Sequence, residues 1–305
     1  MNELVIGLAP VFLSFLAGLT LKMTGVLQEE DGTVVLKIVF FVTIPALVFK
    51  VIYKAELTPD LLLLPFIAVF IILLNCMLAF LVGTKLALER PQFGVLMVAS
   101  MIMNLGFNIP FVLAAYGEVG LARASLIDLG NGILSLTFVY AWAVRYGSNN
   151  TVEGGRGGRV VALKIIKSPP VWGLLFGLFL NLLRVEIPTT VLNIASVIGD
   201  PTSFLFMVAL GIMFNPKIVQ KEVMAVALFL RMGLGLIVGL LVVILFDFDL
   251  LTSKIIVFSA AAPVGFNTLT FATLEGLDTE LATSIVSVSV FSGLFVAPLL
   301  LLLMG

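Results

Sequence analysis

The chain has 305 residues, of which 61% are hydrophobic and only 11% are charged, and its formal net charge is −1. Its mean hydropathy is +1.21. Soluble domains carry charge on about a quarter of their residues, so this composition excludes an ordinary soluble protein and indicates a polytopic membrane protein. The near-neutral charge without a basic patch disfavours nucleic-acid binding. The chain has no histidine and one cysteine, Cys76, so we expect no metal, no cofactor and no intrachain disulfide.

Apolar runs near 20 residues long recur along the whole chain, and charged or turn residues bound them. We expect the first run to be a membrane helix and not a cleaved signal, because it has neither a positive leader nor a clear cleavage site. The ten predicted spans are Leu4–Leu21, Val34–Ile52, Leu61–Leu86, Phe93–Ala115, Val119–Trp142, Pro170–Leu183, Thr190–Phe214, Val223–Phe246, Ile255–Thr273 and Leu281–Leu303. They form a first five-helix repeat over 1–146 and a second over 169–305, joined by a linker loop over 147–168.

The linker contains four glycines around Arg156, followed by further basic residues. It lacks the Gly-Lys-Ser/Thr ending of a phosphate loop, so we interpret it as a flexible segment at the membrane surface. With the N-terminus outside, eleven lysines and arginines lie on the cytoplasmic side and five lie outside. The positive-inside rule therefore predicts that both termini lie outside the plasma membrane and that the linker is cytoplasmic. Because five is an odd number of spans, the second repeat is predicted to be inverted relative to the first.

The same Gly-Phe-Asn phrase stands inside the fourth and ninth spans, at 106–108 and 265–267. A proline lies beside each copy, and glycine and proline both disrupt helices, so we predict two broken helices that cross near the midplane. Half-helix N-termini at such a crossing attract an anion without a lysine or arginine. The predicted substrate-binding residues are Asn104, Gly106, Asn108, Pro110, Pro263, Gly265, Asn267 and Thr268.

Asp128 and Asn131 lie one helical turn apart on one face of the fifth span. A carboxylate inside a membrane is costly and marks a functional site by default. We therefore predict that these two residues couple transport to a proton or bind a cation. A hydrogen-bonded structural aspartate is the alternative.

Other polar residues within the spans are interpreted as structural. Asp200-Pro201 predicts a kink in the seventh span, or an N-cap for the segment from Thr202 onward. Arg231 is expected to extend to the cytoplasmic surface, and Asn75 to form an interhelical hydrogen bond. The serines of the tenth span, including Ser289, suit close helix packing, and some of them are candidates to line the cavity.

These motifs resemble the auxin efflux carrier family of membrane transporters over essentially the full length of the chain. Three stretches carry the resemblance: Ile44-Pro45-Ala46-Leu47; Asn104 to Pro110, continuing through Gly117–Ala122 to Asp128 and Asn131; and Ala262-Pro263 with Asn267, then Gly276–Ala282 and Ala297-Pro298-Leu-Leu. The chain departs from the usual pattern at Asn108, where a small residue is commoner. The short central loop favours a microbial type of member.

The resemblance implies a ten-span inverted repeat with two crossing broken helices, divided into a scaffold and a transport domain. It implies small organic anions as substrates, either auxins or dicarboxylates such as malate or malonate. Carried over by position, Asn104, Pro110, Pro263 and Asn267 would lie at the crossing and the substrate site.

The sequence favours a secondary transporter that moves a small organic anion by alternating access. A sodium-coupled symporter of the bile-acid type is the first alternative, because oxygen ligands for a cation are present on Asn104, Asn108, Thr268 and Asp128. A channel or receptor is another. An intramembrane aspartyl protease is disfavoured because Ile198-Gly199-Asp200 lacks the expected Gly-x-Gly-Asp. We expect a small anion and the lipid bilayer as partners, no nucleic acid and no enzymatic activity; whether the protein forms a homodimer stays open.

Overall fold

A computed structural model describes residues 2–148, 169–215 and 218–304. The described residues fold into helices joined by short connections. In chain order the helices are α1 (Asn2–Met23), α2 (Glu29–Lys54), α3 (Leu61–Gly83), α4 (Arg90–Met101), α5 (Leu105–Tyr146), α6 (Pro169–Leu182), α7 (Thr189–Gly199), α8 (Thr202–Ile212), α9 (Lys221–Leu245), α10 (Leu250–Ala260), α11 (Asn267–Glu275) and α12 (Thr279–Met304). The predicted cytoplasmic linker lies outside the described residues, except for Gly147 and Ser148.

The helices confirm an all-α polytopic membrane protein. Seven stretches of the described chain are long and apolar enough to cross a membrane, counting α7 and α8 together, and α6 and α10 are shorter apolar helices. The predicted fourth and ninth spans fall short of this length because each is interrupted, between α4 and α5 and between α10 and α11. The count of ten spans and their division into two inverted repeats stay predictions.

The first interruption precedes the Gly-Phe-Asn phrase instead of containing it. The backbone is non-helical from 102 to 104, and 106–108 already lies within α5. The Asn104 side chain accepts a hydrogen bond from the Phe107 amide at 3.1 Å and so caps the new helix. Pro110 sits in the second turn of α5 without ending the helix. In the second copy, Gly265 and Phe266 lie within the interruption itself. The two copies of the phrase therefore stand at slightly different positions relative to their interruptions.

The glycines that follow the two copies make sharp turns at equivalent positions. Gly117 has φ 61° and ψ −159°, and it divides α5 into segments 105–116 and 118–146. Gly276 has φ 72° and ψ 41° and terminates α11. Residues with a Cβ avoid positive φ, so glycine is needed at both turns. The sequence correspondence thus reflects a backbone requirement.

The helices pack into two bundles. The first bundle contains α1, α2, α6, α7 and α8, with α1 against α8 and α2 against α6 and α7. The packing is close: a Cβ on Gly177 of α6 would lie 2.8 Å from the carbonyl oxygen of Phe49. Small residues allow this approach where lipid supplies no hydrophobic driving force between helices. The second bundle contains α3, α4, α5 and α9–α12.

The described connections group at two ends of the molecule. The end near Gly117 also holds the end of α2, since Lys50 contacts Glu118 at 2.9 Å. There Asn181 of α6 donates to the carbonyl of Ala55 at 2.7 Å. The end near Gly276 holds Ser148, whose hydroxyl donates to the Gly276 carbonyl at 2.9 Å. We refer to these as the Gly117 end and the Gly276 end.

Candidate functional site

The two interruptions meet in the second bundle. Met103 and Val264 form an isolated antiparallel β-bridge. The Asn104 amide donates to the carbonyl of Pro263 at 2.9 Å, and the Gly265 amide donates to that of Ile102 at 3.0 Å. Backbone groups released by a broken helix must find partners inside a membrane protein, and each interruption supplies them to the other. We refer to this bridge as the crossing.

Side chains complete the hydrogen bonding at the centre of the crossing. The Asn131 side chain accepts from the Met103 amide and donates to the Met103 carbonyl, both at 3.1 Å. On the other side of the bridge, the Val264 amide donates to the Ser289 hydroxyl at 3.1 Å. Asn131 and Ser289 are 158 positions apart, nearly the 159 that separate the Gly-Phe-Asn copies. Each side of the bridge therefore has a side chain that pairs with its backbone.

A cavity of about 680 Å³ lies between the two bundles and reaches the crossing. The first bundle contributes apolar residues of α2, α6 and α8, among them Phe40, Phe41, Pro170 and Phe206. The second contributes residues of α5, the crossing and α11. Two walls carry a π-helical turn, Val39–Thr43 in α2 and Ser135–Val139 in α5. Such turns often mark functional sites in membrane and soluble helices.

The predicted site residues divide between the cavity wall and the protein behind it. The residues on the wall are Asn104, Gly106, Gly265, Asn267, Asp128 and Asn131. Asn267 of α11 donates to the hydroxyl of Ser135 in α5 at 3.2 Å. Asn108, Pro110, Pro263 and Thr268 are not among the lining residues. Their role in substrate binding stays a prediction.

Three of the four residues away from the wall have identifiable surroundings. Asn108 is buried, with a long 3.5 Å contact from its amide nitrogen to the carbonyl of Phe258. Pro263 lies against Gly293 of α12, where a Cβ would come within 2.6 Å of the proline ring. The Thr268 hydroxyl is buried without a hydrogen-bond partner among the described residues. These residues shape the crossing from behind.

Asp128 is the acidic residue among the described residues that line the cavity. Its carboxylate accepts a hydrogen bond from Asn131 at 3.0 Å, and Asn131 in turn holds Met103. The residue is exposed to the cavity. No lysine or arginine lies among the described residues that line the cavity. The N-termini of α5 and α11, which both begin at the crossing, carry the positive ends of their helix dipoles.

An ion-pair cluster connects the bundles toward the Gly117 end. Lys50 of α2 contacts Asp200 at 2.6 Å and Glu118 at 2.9 Å. Lys50 and Asp200 belong to the first bundle, and Glu118 belongs to the second. The Lys50 side chain is only 5% exposed. The cavity lining stops nearby, at Val48 and Leu121, so the cluster closes the bundle interface beyond it.

The kink predicted at Asp200-Pro201 is present, since α7 ends at Gly199 and α8 begins at Thr202. The alternative that Asp200 caps α8 is wrong. Pro201 holds the N-cap position, and no side-chain capping bond occurs there. The Asp200 carboxylate binds Lys50 instead.

The expectation that Arg231 reaches the membrane surface is wrong. Its side chain is completely buried within the π-helical turn Phe229–Gly233 of α9. It donates to the carbonyl of Ala260, and to that of Ala262 at 3.3 Å. The carbonyls at the end of α10 hold the guanidinium inside the bundle. The interhelical bond expected of Asn75 is confirmed, since its amide donates to the carbonyl of Ser100 at 3.3 Å.

Sequence reasoning missed three polar contributors to the site. Ser135 was unremarkable inside the fifth span, and Lys50 was counted only as a loop-proximal charge. Ser289 was seen as a packing residue, although its offset from Asn131 was a usable signal.

Comparison with known proteins agrees with this geometry. A family model described as membrane transport protein matches residues 4–301. An uncharacterized transporter of Methanothermobacter thermautotrophicus is 29% identical over 298 residues, covering 95% of this chain and 94% of the relative. An uncharacterized transporter of Methanocaldococcus jannaschii is 28% identical over 302 residues, covering 94% of each.

Proposed function

Because the chain belongs to the membrane transport protein family, which includes the auxin efflux carriers, we propose that it is a secondary transporter of a small organic anion. The observation that carries the proposal is the crossing of two interrupted helices on the wall of a cavity between two bundles. Substrate sites of secondary transporters occur where discontinuous helices meet near the bilayer midplane.

The substrate carboxylate would bind at the crossing, opposite the N-termini of α5 and α11. Unpaired amide hydrogens at helix N-termini and the helix dipole favour negative charge without a basic side chain. Asn104 and Asn267 stand beside these N-termini on the cavity wall and offer amide donors. The apolar residues of α2, α6 and α8 would contact the rest of the substrate. Auxin-like acids and dicarboxylates are both within the proposed class.

Asp128 is the proposed coupling residue. An ionised carboxylate on the same cavity wall repels an anionic substrate, and protonation or a bound cation removes the repulsion. Asn131 connects Asp128 to Met103 at the crossing. Changes of charge on Asp128 would therefore act directly on the backbone that receives the anion.

The two bundles correspond to a scaffold, with α1, α2 and α6–α8, and a transport domain, with the crossing. Alternating access would move the transport domain against the scaffold, with substrate held at their interface. We propose ten spans in two inverted repeats over 1–146 and 169–305, with the linker cytoplasmic and both termini outside the plasma membrane. In this orientation the Gly276 end faces the cytoplasm. The matching roles of Asn131 and Ser289 support the repeat.

The first test is a thermal-shift screen of small carboxylates on the purified protein at several pH values, with and without sodium. We expect at least one organic anion to raise the melting temperature, since a ligand that binds only the folded state stabilises it. Uptake of that anion into liposomes, saturable and capable of counterflow, then separates a carrier from a channel. Absence of stabilisation by every anion would contradict the proposal.

The coupling proposal has its own test. Replacing Asp128 with Asn keeps the shape of the side chain but removes its titration. We expect the Asp128→Asn variant to bind the anion but to lose the pH dependence or sodium dependence of uptake. An unchanged rate and an unchanged pH profile would leave Asp128 a structural residue.

The sodium-coupled symporter remains the second candidate, favoured by the oxygen atoms of Asp128 and Asn104 on one cavity wall. Sodium dependence of uptake distinguishes it from a proton-coupled carrier. The aspartyl protease is not supported: Asp200 is paired with Lys50 in the first bundle, while Asp128 lies in the second.

A further inference from the structure

We propose that Arg231 is a positioning residue that fixes the crossing from behind by neutralising the C-terminal ends of both interrupted helices. The inference deepens the proposed function, because the crossing is the proposed anion site. It assigns a role to a buried arginine that the transport mechanism above does not use.

The position of the guanidinium supports this role. Arg231 donates to the carbonyl of Ala260, the last residue of α10, and to the carbonyl of Ala262, two residues later. On the other side, its Nη1 lies 3.5 Å from the carbonyl oxygen of Ser100, in the last turn of α4. Asn75 donates to the same carbonyl at 3.3 Å. The guanidinium therefore lies between the ends of the two half-helices.

The chain makes room for this side chain. Arg231 stands in a π-helical turn, which aims it toward α10. Gly235 follows one turn later, and a Cβ there would come within 2.2 Å of the Ala260 carbonyl oxygen and 2.7 Å of the Arg231 Nη2 atom. Among the described residues, no acidic side chain forms an ion pair with Arg231. Backbone carbonyls are thus its partners.

Electrostatics gives the contact a function. A helix C-terminus carries about half a negative charge, so the ends of α4 and α10 together present about one negative charge at the crossing. A buried arginine cancels that charge from behind. The positive N-termini of α5 and α11 are then left to face the cavity, so an anion in the cavity experiences an attractive potential. Without Arg231, the crossing would also lose the donors that tie α10 to α4.

A cross-linking experiment tests the proposal without a substrate. In the full-length Cys76→Ala protein, Met103→Cys and Val264→Cys place cysteines at the directly opposed positions of the bridge, where a disulfide fits. We expect rapid oxidation in this parent. Arg231→Met should slow the oxidation about tenfold, equivalent to about 1.4 kcal/mol in the fraction of closed crossings.

Two conservative variants separate charge from hydrogen bonding. Arg231→Lys retains the charge and should restore most of the cross-linking rate. Arg231→Gln retains hydrogen-bond donors without charge and should behave like Arg231→Met. Equal rates in the parent and Arg231→Met would overturn the proposal. Recovery by Gln as complete as recovery by Lys would overturn the electrostatic role.

The Lys and Gln variants also cover the case in which Arg231→Met does not fold. We expect slower cross-linking in Arg231→Gln than in Arg231→Lys, and equal rates in both would contradict the proposal. Because the readout is a disulfide, a failure of the anion screen would count against the proposed function and not against the role of Arg231.

Discussion

At the scale of residues, Asn131 has the most consequential set of contacts. Its amide satisfies both backbone groups of Met103 and also binds Asp128. Asn131→Ala should leave a buried amide and a buried carbonyl unpaired at the crossing. Each unpaired group costs about 1–3 kcal/mol, so we expect a clear drop in the melting temperature of the purified protein.

Ser289→Ala is the matched comparison for Asn131→Ala. It removes the acceptor for a single backbone group, the Val264 amide, so the loss of stability should be smaller than in Asn131→Ala. Asp128→Asn, which leaves Met103 paired, should change the melting temperature least. An equal loss in Asn131→Ala and Ser289→Ala would mean that the crossing does not depend on these side chains as the structure indicates.

At the scale of elements, the turn at Gly117 decides whether α5 can bend. The φ and ψ of Gly117 lie in a region that is essentially restricted to glycine. Gly117→Ala should therefore destabilise the protein by about 1–3 kcal/mol, although no atom lies within 4 Å of the added Cβ. Thermal unfolding of the purified variant measures the loss.

Gly132 is the control within the same helix. A Cβ at Gly132 also meets open space, and its backbone is helical, so Gly132→Ala should be neutral or slightly stabilising. Gly276→Ala, with φ and ψ in the left-handed helical region, should lie between the two, at about 1–2 kcal/mol. If Gly132→Ala is as destabilising as Gly117→Ala, backbone strain is not the cause.

The helices and their interruptions also indicate how much of the fold can be predicted from the sequence alone. Apolar length located the helices, and the Gly-Phe-Asn phrase located both interruptions to within a few residues, because glycine and proline have local backbone effects. The sequence did not reveal the bridge between Met103 and Val264, since apolar residues carry no sign of backbone pairing across 161 positions. Arg231 was misjudged for the same reason: its partners are backbone carbonyls, which every residue has.

At the scale of the whole molecule, the Lys50 cluster connects the two bundles at the Gly117 end. Glu118→Gln should break the pair that crosses the bundle interface and let the Gly117 end open. The readout is a single cysteine, Ser125→Cys on the cavity wall in the Cys76→Ala background, labelled with a membrane-impermeant maleimide. We expect labelling from the Gly117 side to rise severalfold in Glu118→Gln.

Asp200→Asn is the matched control for this experiment, because it removes a carboxylate from the same lysine but leaves the pair between Lys50 and Glu118 intact. It should leave the labelling from the Gly117 side nearly unchanged, whereas Lys50→Met should reproduce the effect of Glu118→Gln. Exposed ion pairs contribute little to stability, but Lys50 is nearly buried. Loss of its partner across the bundle interface therefore has a larger effect on the contact between the bundles. Equal labelling in Glu118→Gln and Asp200→Asn would contradict this prediction. It would mean that packing alone sets the position of the two bundles and that the ion pair does not hold them together.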